Sequence, residues 1–168
     1  GSAFDDDRAL TVTSPTVNEG SPYVVFTVGG VAGQYVKLGL SDGTALIDAN
    51  GTQVLDGTED YGPALQYFDG TAWQNYTANS YVQIPNGGTT LLVRTVIVND
   101  TAADNGQTFK LTATNTGGTG TDGTATIKDD GTGTKWSFTG NTDSGTSSTG
   151  PGSAFDDDRA LTVTSPTV

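Results

Sequence analysis

The side chains best suited to chemistry in this 168-residue sequence are its acids, which number 19 against 7 lysines and arginines. Nearly all of them are Asp, and they include the pair Asp129-Asp130. Carboxylate oxygens are the donors that Ca²⁺ prefers, and Asp carries two of them on a short side chain. The acids therefore indicate cation binding. For three of them that precede glycine, Asp42, Asp69 and Asp122, a role in the turn itself is favoured instead.

The composition excludes several other kinds of chemistry. The chain has no His, Cys or Met, so it holds no disulfide, no Cys or His metal site, and no His base or Cys nucleophile. A net charge of −12 argues against nucleic acid and against insertion into an anionic membrane. An Asp pair can perform acid–base chemistry, but no pattern indicates a substrate cleft. The sequence therefore predicts that the chain is not an enzyme.

One internal repeat organises the chain. Residues 1–17, GSAFDDDRALTVTSPTV, recur without change as residues 152–168. We interpret residues 1–130 as one repeat unit, residues 131–152 as a Gly/Ser/Thr-rich linker, and residues 153–168, a copy of residues 2–17, as the start of the next tandem unit. The alternative is an engineered duplication that supplies a missing strand. In the linker, Trp136 and Phe138 either dock on a neighbouring sandwich or belong to a solvated tether.

Short apolar or alternating segments separated by Gly, Asn and Asp turns indicate strands, and no segment has a sustained helical period. The pattern predicts an all-β fold, an antiparallel Greek-key β-sandwich of the immunoglobulin type. Val24, Phe26 and Val28 share one face, whereas the pattern over residues 89–98 leaves its buried face undecided. The predicted strands cover residues 9–17, 22–28, 34–40, 64–69, 72–77, 81–84, 89–98, 108–115 and 123–128.

The order of several short motifs resembles the Calx-beta pattern over about residues 10–130. The motifs are Asn18-Glu19-Gly20, Asp42-Gly43-Thr44-Ala45, Asp60-Tyr61, Asn99-Asp100, and Ile127-Lys128-Asp129-Asp130. More broadly, residues 5–12, 87–99 and 125–134 look like the extender repeats of giant RTX-type, type I-secreted adhesins of Gram-negative bacteria. Both resemblances imply a β-sandwich, immunoglobulin-like or Calx-beta-like.

The resemblance also implies Ca²⁺ at one end of the sandwich. The family's acidic positions fall on Glu19, Asp60, Asp100, Asp104, Asp129 and Asp130. The sequence departs from the pattern at Asn99 and Gly131, where acids are common, and an insertion from Leu46 to Gly57 separates two motifs. The first two departures remove charge and reduce the expected number of ions.

A second group of acids lies at the unit boundaries. The run Asp5, Asp6, Asp7 precedes the first predicted strand and recurs as Asp156, Asp157, Asp158. Two interpretations are open: a Ca²⁺ site that stiffens the joint between units, or neutralisation by Arg8.

These observations predict a structural extender module of a long extracellular adhesin or surface fibre, stabilised by Ca²⁺ and located on the surface of a Gram-negative bacterium. Its partners would be neighbouring identical units. One alternative is a filament subunit that donates a strand to other copies of the chain, using Leu161, Val163 and Val168. Another is a carbohydrate-binding module that uses Trp73, Tyr76 and Tyr81, although a core role is favoured for Trp73.

Overall fold

A computed structural model describes residues 6–48, 59–99, 105–139 and 142–149, together with Ser165. Within these ranges the chain forms strands and turns, and no helix there has the length and apolar character to cross a membrane. The strands are β1 (Thr11–Val12), β2 (Thr16–Asn18), β3 (Tyr23–Gly29), β4 (Tyr35–Asp42), β5 (Tyr61–Phe68), β6 (Trp73–Asn75), β7 (Tyr81–Gln83), β8 (Thr90–Ile97), β9 (Gln107–Thr114), β10 (Gly120–Lys128), β11 (Thr132–Thr139) and β12 (Thr142–Thr149).

The strands form two sheets. One has the order β1-β3-β8-β5-β6 and the other the order β12-β11-β2-β10-β9-β4-β7. Strand pairs are antiparallel except that β2 runs parallel to both β10 and β11. The chain crosses repeatedly between the sheets, and its first strand is split so that β1 joins one sheet and β2 the other. The prediction of an all-β sandwich of the immunoglobulin type is confirmed.

Alternation along the strands builds the core between the sheets. Val24, Phe26 and Val28 of β3 are buried, as their spacing predicts. On β8 the buried face carries Val93 and Ile97, with Thr95 between them. Thr95 is tolerated there because its hydroxyl donates a 2.9 Å hydrogen bond to the carbonyl of Ala64.

Residues 132–139 and 142–149 form β11 and β12, which differs from the linker that composition predicts for residues 131–152. β11 pairs with β2 through Thr134 and Val17, and the backbone N–H of Trp136 donates to the Ser21 hydroxyl at 3.0 Å. Trp136 is half-buried against the core of its own sandwich. The physical reason is that Thr, frequent in this segment, is β-branched and favours extended backbone beside an open sheet edge.

Candidate metal centre

The topology gathers four of the acids predicted as ligands at one end of the sandwich. β2 and β10 end side by side at Asn18 and Lys128, and β5 begins opposite the end of β8, where Tyr61 pairs with Ile97. Residues directly beyond or before these strand ends therefore share one end of the molecule. We call this the acidic end; it carries Glu19, Asp60, Asp129 and Asp130.

Glu19 and Asp129 directly follow the paired ends of β2 and β10. The backbone N–H of Glu19 donates to the carbonyl of Lys128 at 2.9 Å, and that of Asp129 donates to Oδ1 of Asn105 at 3.1 Å. Both residues are buried. A buried carboxylate is stable only with compensating donors or a cation, so this arrangement is suited to holding positive charge.

Asp60, also buried, fixes the chain that follows β4. Its Oδ2 accepts a 2.7 Å hydrogen bond from the backbone N–H of Leu46, and its own N–H donates to the Leu46 carbonyl at 2.8 Å. Its carbonyl accepts the N–H of Val98 at 3.0 Å. Asp60 therefore ties the Leu46 segment and the end of β8 to the acidic end.

Asp130 is committed to the turn that starts β11. Its Oδ1 accepts hydrogen bonds from the backbone N–H of Thr132 at 3.0 Å and from the Thr132 hydroxyl at 2.5 Å. Its Oδ2 accepts from the side-chain amide of Asn105 at 3.1 Å. These hydrogen bonds, chiefly the one from the Thr132 hydroxyl, lower the pKa of Asp130 and keep the carboxylate ionised.

Sequence reasoning missed Asp48, which is 1% exposed at the same end. Its backbone N–H donates to the carbonyl of Tyr61 at 2.7 Å, directly beside Asp60. The residue belongs to the segment that the sequence showed only as an insertion. Its only sequence signal is an acid that follows Ile47 in an otherwise apolar and small-residue stretch.

The described residues do not assemble a complete metal cage. Within residues 6–48, 59–99 and 105–139, no three acids lie close enough together to hold a metal ion. Asp100 and Asp104, predicted as ligands, lie outside the described residues. The structure thus places four of the six predicted ligands at one end, with oxygen chemistry that suits Ca²⁺, and the remaining two belong to the loop between β8 and β9.

Asp6 and Asp7, the boundary acids that the structure describes, lie at the opposite end. Asp6 forms an ion pair with Arg8, whose Nε donates to Oδ1 at 2.9 Å and whose Nη2 contacts Oδ2. These hydrogen bonds lower the pKa of Asp6 to about 2. For Asp6, the geometry is the one expected for neutralisation by Arg8. The carbonyl of Asp7 accepts the Asn115 side-chain amide at 3.0 Å, whereas Asp5, Asp156, Asp157 and Asp158 lie outside the described residues.

The aromatic residues named for carbohydrate binding do not share one flat face. Trp73 on β6 stacks on the Arg94 guanidinium, which lies 4.1 Å from its ring centroid. Tyr76 donates its hydroxyl to the Ser80 carbonyl at 2.7 Å and packs against the core. Tyr81 lies on β7 in the other sheet. The strand-donation residues Leu161, Val163 and Val168 lie outside the described residues.

No protein-family model matches the chain, and no curated protein matches it. Among solved structures, the chain is similar to the calcium binding domain CBD12 of CALX1.1, with 13% identity and a TM-score of 0.47 over 72% of this chain. It spans 44% of that protein's length.

Two further solved structures are similar to the chain. The apo-form Calx CBD1 domain has 13% identity and a TM-score of 0.44, and the match covers 71% of this chain and 96% of that domain. The Pseudomonas aeruginosa CupB2 chaperone has 12% identity and a TM-score of 0.36, with 75% and 62% covered.

Proposed function

We propose that this chain is a structural module, one sandwich of a tandem array that extends a distal binding domain from the surface of a Gram-negative bacterium as part of an adhesin or surface fibre. The observation that carries the proposal is that the repeated segment is an integral part of the fold. Leu10 and Val17 of its first copy are buried in the core. The second copy, residues 152–168, therefore carries the same residues with which a sandwich of this kind begins.

The leading segment is clamped by two amides, each 1% exposed, which supports a stiff joint. The Gln34 side chain donates to the carbonyl of Arg8 at 2.9 Å, and the Asn115 side chain donates to the carbonyls of Asp7 and Arg8 at 3.0 and 3.2 Å. β12 ends at Thr149, and the copy of Asp6 is Asp157. The stretch between them, residues 150–156, spans at most about 25 Å when extended, which limits the distance between consecutive units.

The extracellular location and the absence of a catalytic role belong to the same proposal. A chain without Cys or Met carries no readily oxidised sulfur, which suits exposure outside the cell. Without His or Cys, the chain lacks the commonest general base and the thiol nucleophile, which supports a role without catalysis. Its partners in this proposal are the identical units before and after it.

We further propose that Ca²⁺ stabilises the acidic end. Carboxylates among Glu19, Asp60 and Asp129 would contribute to the site, which the acids of the loop between β8 and β9, Asp100 and Asp104, would complete, since no three described acids suffice by themselves. The support is the burial of three carboxylates at adjoining strand ends in a chain of net charge −12, where a divalent cation offsets their mutual repulsion. Bound Ca²⁺ would supply charge neutralisation and connect the strand ends.

Thermal melts in Ca²⁺ and in chelator test the ion. At a hundred times its Kd, Ca²⁺ should stabilise the fold by about 2.7 kcal/mol, and Mg²⁺ should do much less. Asp60→Asn and Asp129→Asn should reduce the shift, whereas Asp122→Asn, on the exposed part of β10, is the matched control. Equal melts in Ca²⁺ and chelator would contradict the metal proposal.

Small-angle scattering tests the module itself. Two head-to-tail copies of residues 1–151 should give an elongated particle with a maximum dimension close to twice that of one unit. A compact particle, or the broad distance distribution of a flexible pair, would contradict the extender proposal whatever the outcome of the Ca²⁺ melts.

A further inference from the structure

The first copy of the repeated segment occupies a groove made by strands of both sheets. β1 pairs with β3, where Thr11 is opposite Gly29. β2 lies between β10 and β11 and runs parallel to both, with Val17 opposite Ile127 on one side and Thr134 on the other. We call the space bounded by β3, β10 and β11 the strand groove.

Apolar side chains hold the segment in the strand groove. Leu10 and Val17 are 4% and 0% exposed and belong to the core, and Val12 packs against that core. These three positions are the ones that recur as Leu161, Val163 and Val168. Side-chain fit therefore cannot distinguish the two copies.

Backbone hydrogen bonds fix the middle of the segment. The N–H of Thr13 donates to the carbonyl of Thr27 at 3.1 Å, and the N–H of Thr126 donates to the carbonyl of Pro15 at 3.0 Å. The Ser14 hydroxyl accepts the N–H of Thr124 at 3.0 Å. All of these groups in the segment are reproduced in residues 162–168.

Two glycines shape the walls of the groove to this backbone. A Cβ at Gly123 would lie 2.1 Å from the carbonyl oxygen of Thr13. A Cβ at Gly133, where φ is +95°, would lie 2.7 Å from the backbone of Val17 and Asn18. Because neither residue has a side chain, an extended segment lies closer to both walls of the groove than a Cβ at either position would allow.

We propose that the strand groove is a docking site for Leu161–Val168 of the same chain, which can replace Leu10–Val17. The exchange loses and regains identical contacts, so its equilibrium is decided by how well each copy is presented to the groove. In a tandem array, each boundary segment then fits the unit before it as well as the unit after it. This inference concerns the groove alone and does not depend on Ca²⁺ or on the extender role.

The second copy can reach the strand groove. The chain that leads to it leaves β12 at Thr149, which pairs with Thr132, and the Thr132 carbonyl accepts the side-chain amide of Asn18 at 2.9 Å. The connecting chain thus starts beside Asn18, at the end of the strand groove that lies next to the acidic end. From Thr149 to Leu161 the chain extends to about 40 Å, whereas the occupied groove from Leu10 to Val17 is about 25 Å long.

Charge substitutions in the full chain test the exchange. Leu10→Asp with Val17→Asp removes the first copy from the groove, and Leu161→Asp with Val168→Asp disables the second. Each double variant should unfold cooperatively, with a melting temperature within a few degrees of that of the unchanged chain. The quadruple variant should show no cooperative transition. If Leu10→Asp with Val17→Asp alone abolishes the melt, the proposal is wrong.

Light scattering on the Leu10→Asp, Val17→Asp chain identifies the source of the occupant. A monomer mass at all concentrations is expected. A folded protein found only as dimers or larger species would overturn docking within one chain and assign the occupant to a second copy.

A disulfide trap checks the register independently, because the chain has no cysteine of its own. Thr11 pairs with Gly29, so Thr11→Cys with Gly29→Cys should cross-link under oxidation and serves as the reference. In the Leu10→Asp, Val17→Asp background, Thr162→Cys with Gly29→Cys should cross-link as completely. Thr162→Cys with Thr71→Cys, in a turn away from the groove, should not. Failure of the Thr162 and Gly29 pair to form a bond would refute the docking.

Discussion

The hydroxyl of Tyr61, at the start of β5, donates a 2.6 Å hydrogen bond to Oδ1 of Asp42, at the end of β4. The same Asp42 oxygen accepts the backbone N–H of Ile47 at 2.9 Å. The Tyr61 ring stacks on Phe109 with centroids 3.7 Å apart and planes 7° from parallel. Asp42, which the sequence marks only as a turn residue before glycine, thus connects both sheets beside the acidic end.

Tyr61→Phe isolates the contribution of this hydrogen bond. Tyr61 is fully buried, and the substitution keeps its ring while removing the donor to a carboxylate. The free energy of unfolding should fall by about 1–3 kcal/mol. Tyr61→Ala should lose about 3–5 kcal/mol because the stack on Phe109 disappears. Urea denaturation measures both, and Tyr67→Phe, expected to change stability by less than about 0.5 kcal/mol, is the control.

The same residue predicts an alkaline limit to stability. Burial, and then the hydrogen bond to Asp42, raise the pKa of Tyr61 well above its usual range. A raised pKa in the folded state means that this stabilisation is complete below the unfolded tyrosine pKa of about 10 and is lost as pH rises above it. Between pH 10 and 12, the unchanged chain should therefore lose stability more steeply than Tyr61→Phe. Parallel slopes in urea titrations at these pH values would contradict the assignment.

Local pattern explains which parts of the fold were predictable. Val24, Phe26 and Val28 alternate with less buried residues, so β3 and its buried face follow from spacing alone. On β8 both faces carry apolar residues. The outer face is packed as well, since the Arg94 guanidinium lies over the rings of Tyr23 and Trp73. Only the positions of the neighbouring strands decide which face is core.

The hairpin of β11 and β12 and the burial of Asp48 were not predictable for a different reason. Gly, Ser and Thr dominate the hairpin, and that composition is shared with flexible tethers. It becomes a strand because β2 presents an open edge, a long-range fact that no local pattern encodes. Asp48 is buried by the start of β5 in the same way. Motif order, by contrast, singles out Glu19, Asp60 and Asp129, and these residues lie at strand ends that the topology brings together.

Gly123→Ala tests the close approach of the leading segment to β10. The new methyl group would meet the Thr13 carbonyl oxygen, a backbone atom that cannot move without shifting the strand. A loss of at least about 1–3 kcal/mol is expected in thermal or urea unfolding. Gly39→Ala is the matched control, since a Cβ there has nothing within 4 Å and the change should be neutral or slightly stabilising. Equal stability of Gly123→Ala and Gly39→Ala would show that the close approach of Thr13 to Gly123 does not affect the stability of the fold.

Asn115→Ala tests the clamp on the leading segment. The side chain donates to the carbonyls of Asp7 and Arg8, and its Oδ1 accepts the N–H of Thr119 at 2.9 Å. Removing it leaves the Asp7 carbonyl and the Thr119 N–H without their buried partner, whereas the Arg8 carbonyl keeps the Gln34 amide. The free energy of unfolding should therefore fall by about 1–3 kcal/mol.

The effect should also be local. Hydrogen exchange at residues 6–12 should speed up more in Asn115→Ala than exchange in β8, because the clamp holds the segment whereas β8 is held by its own pairing. Asn75→Ala, an exposed amide on β6, should leave both regions unchanged. A uniform increase in exchange across the sandwich would mean that Asn115 supports the whole fold. In that case the joint between units would depend on Gln34 and the ion pair of Asp6 with Arg8 for its stiffness.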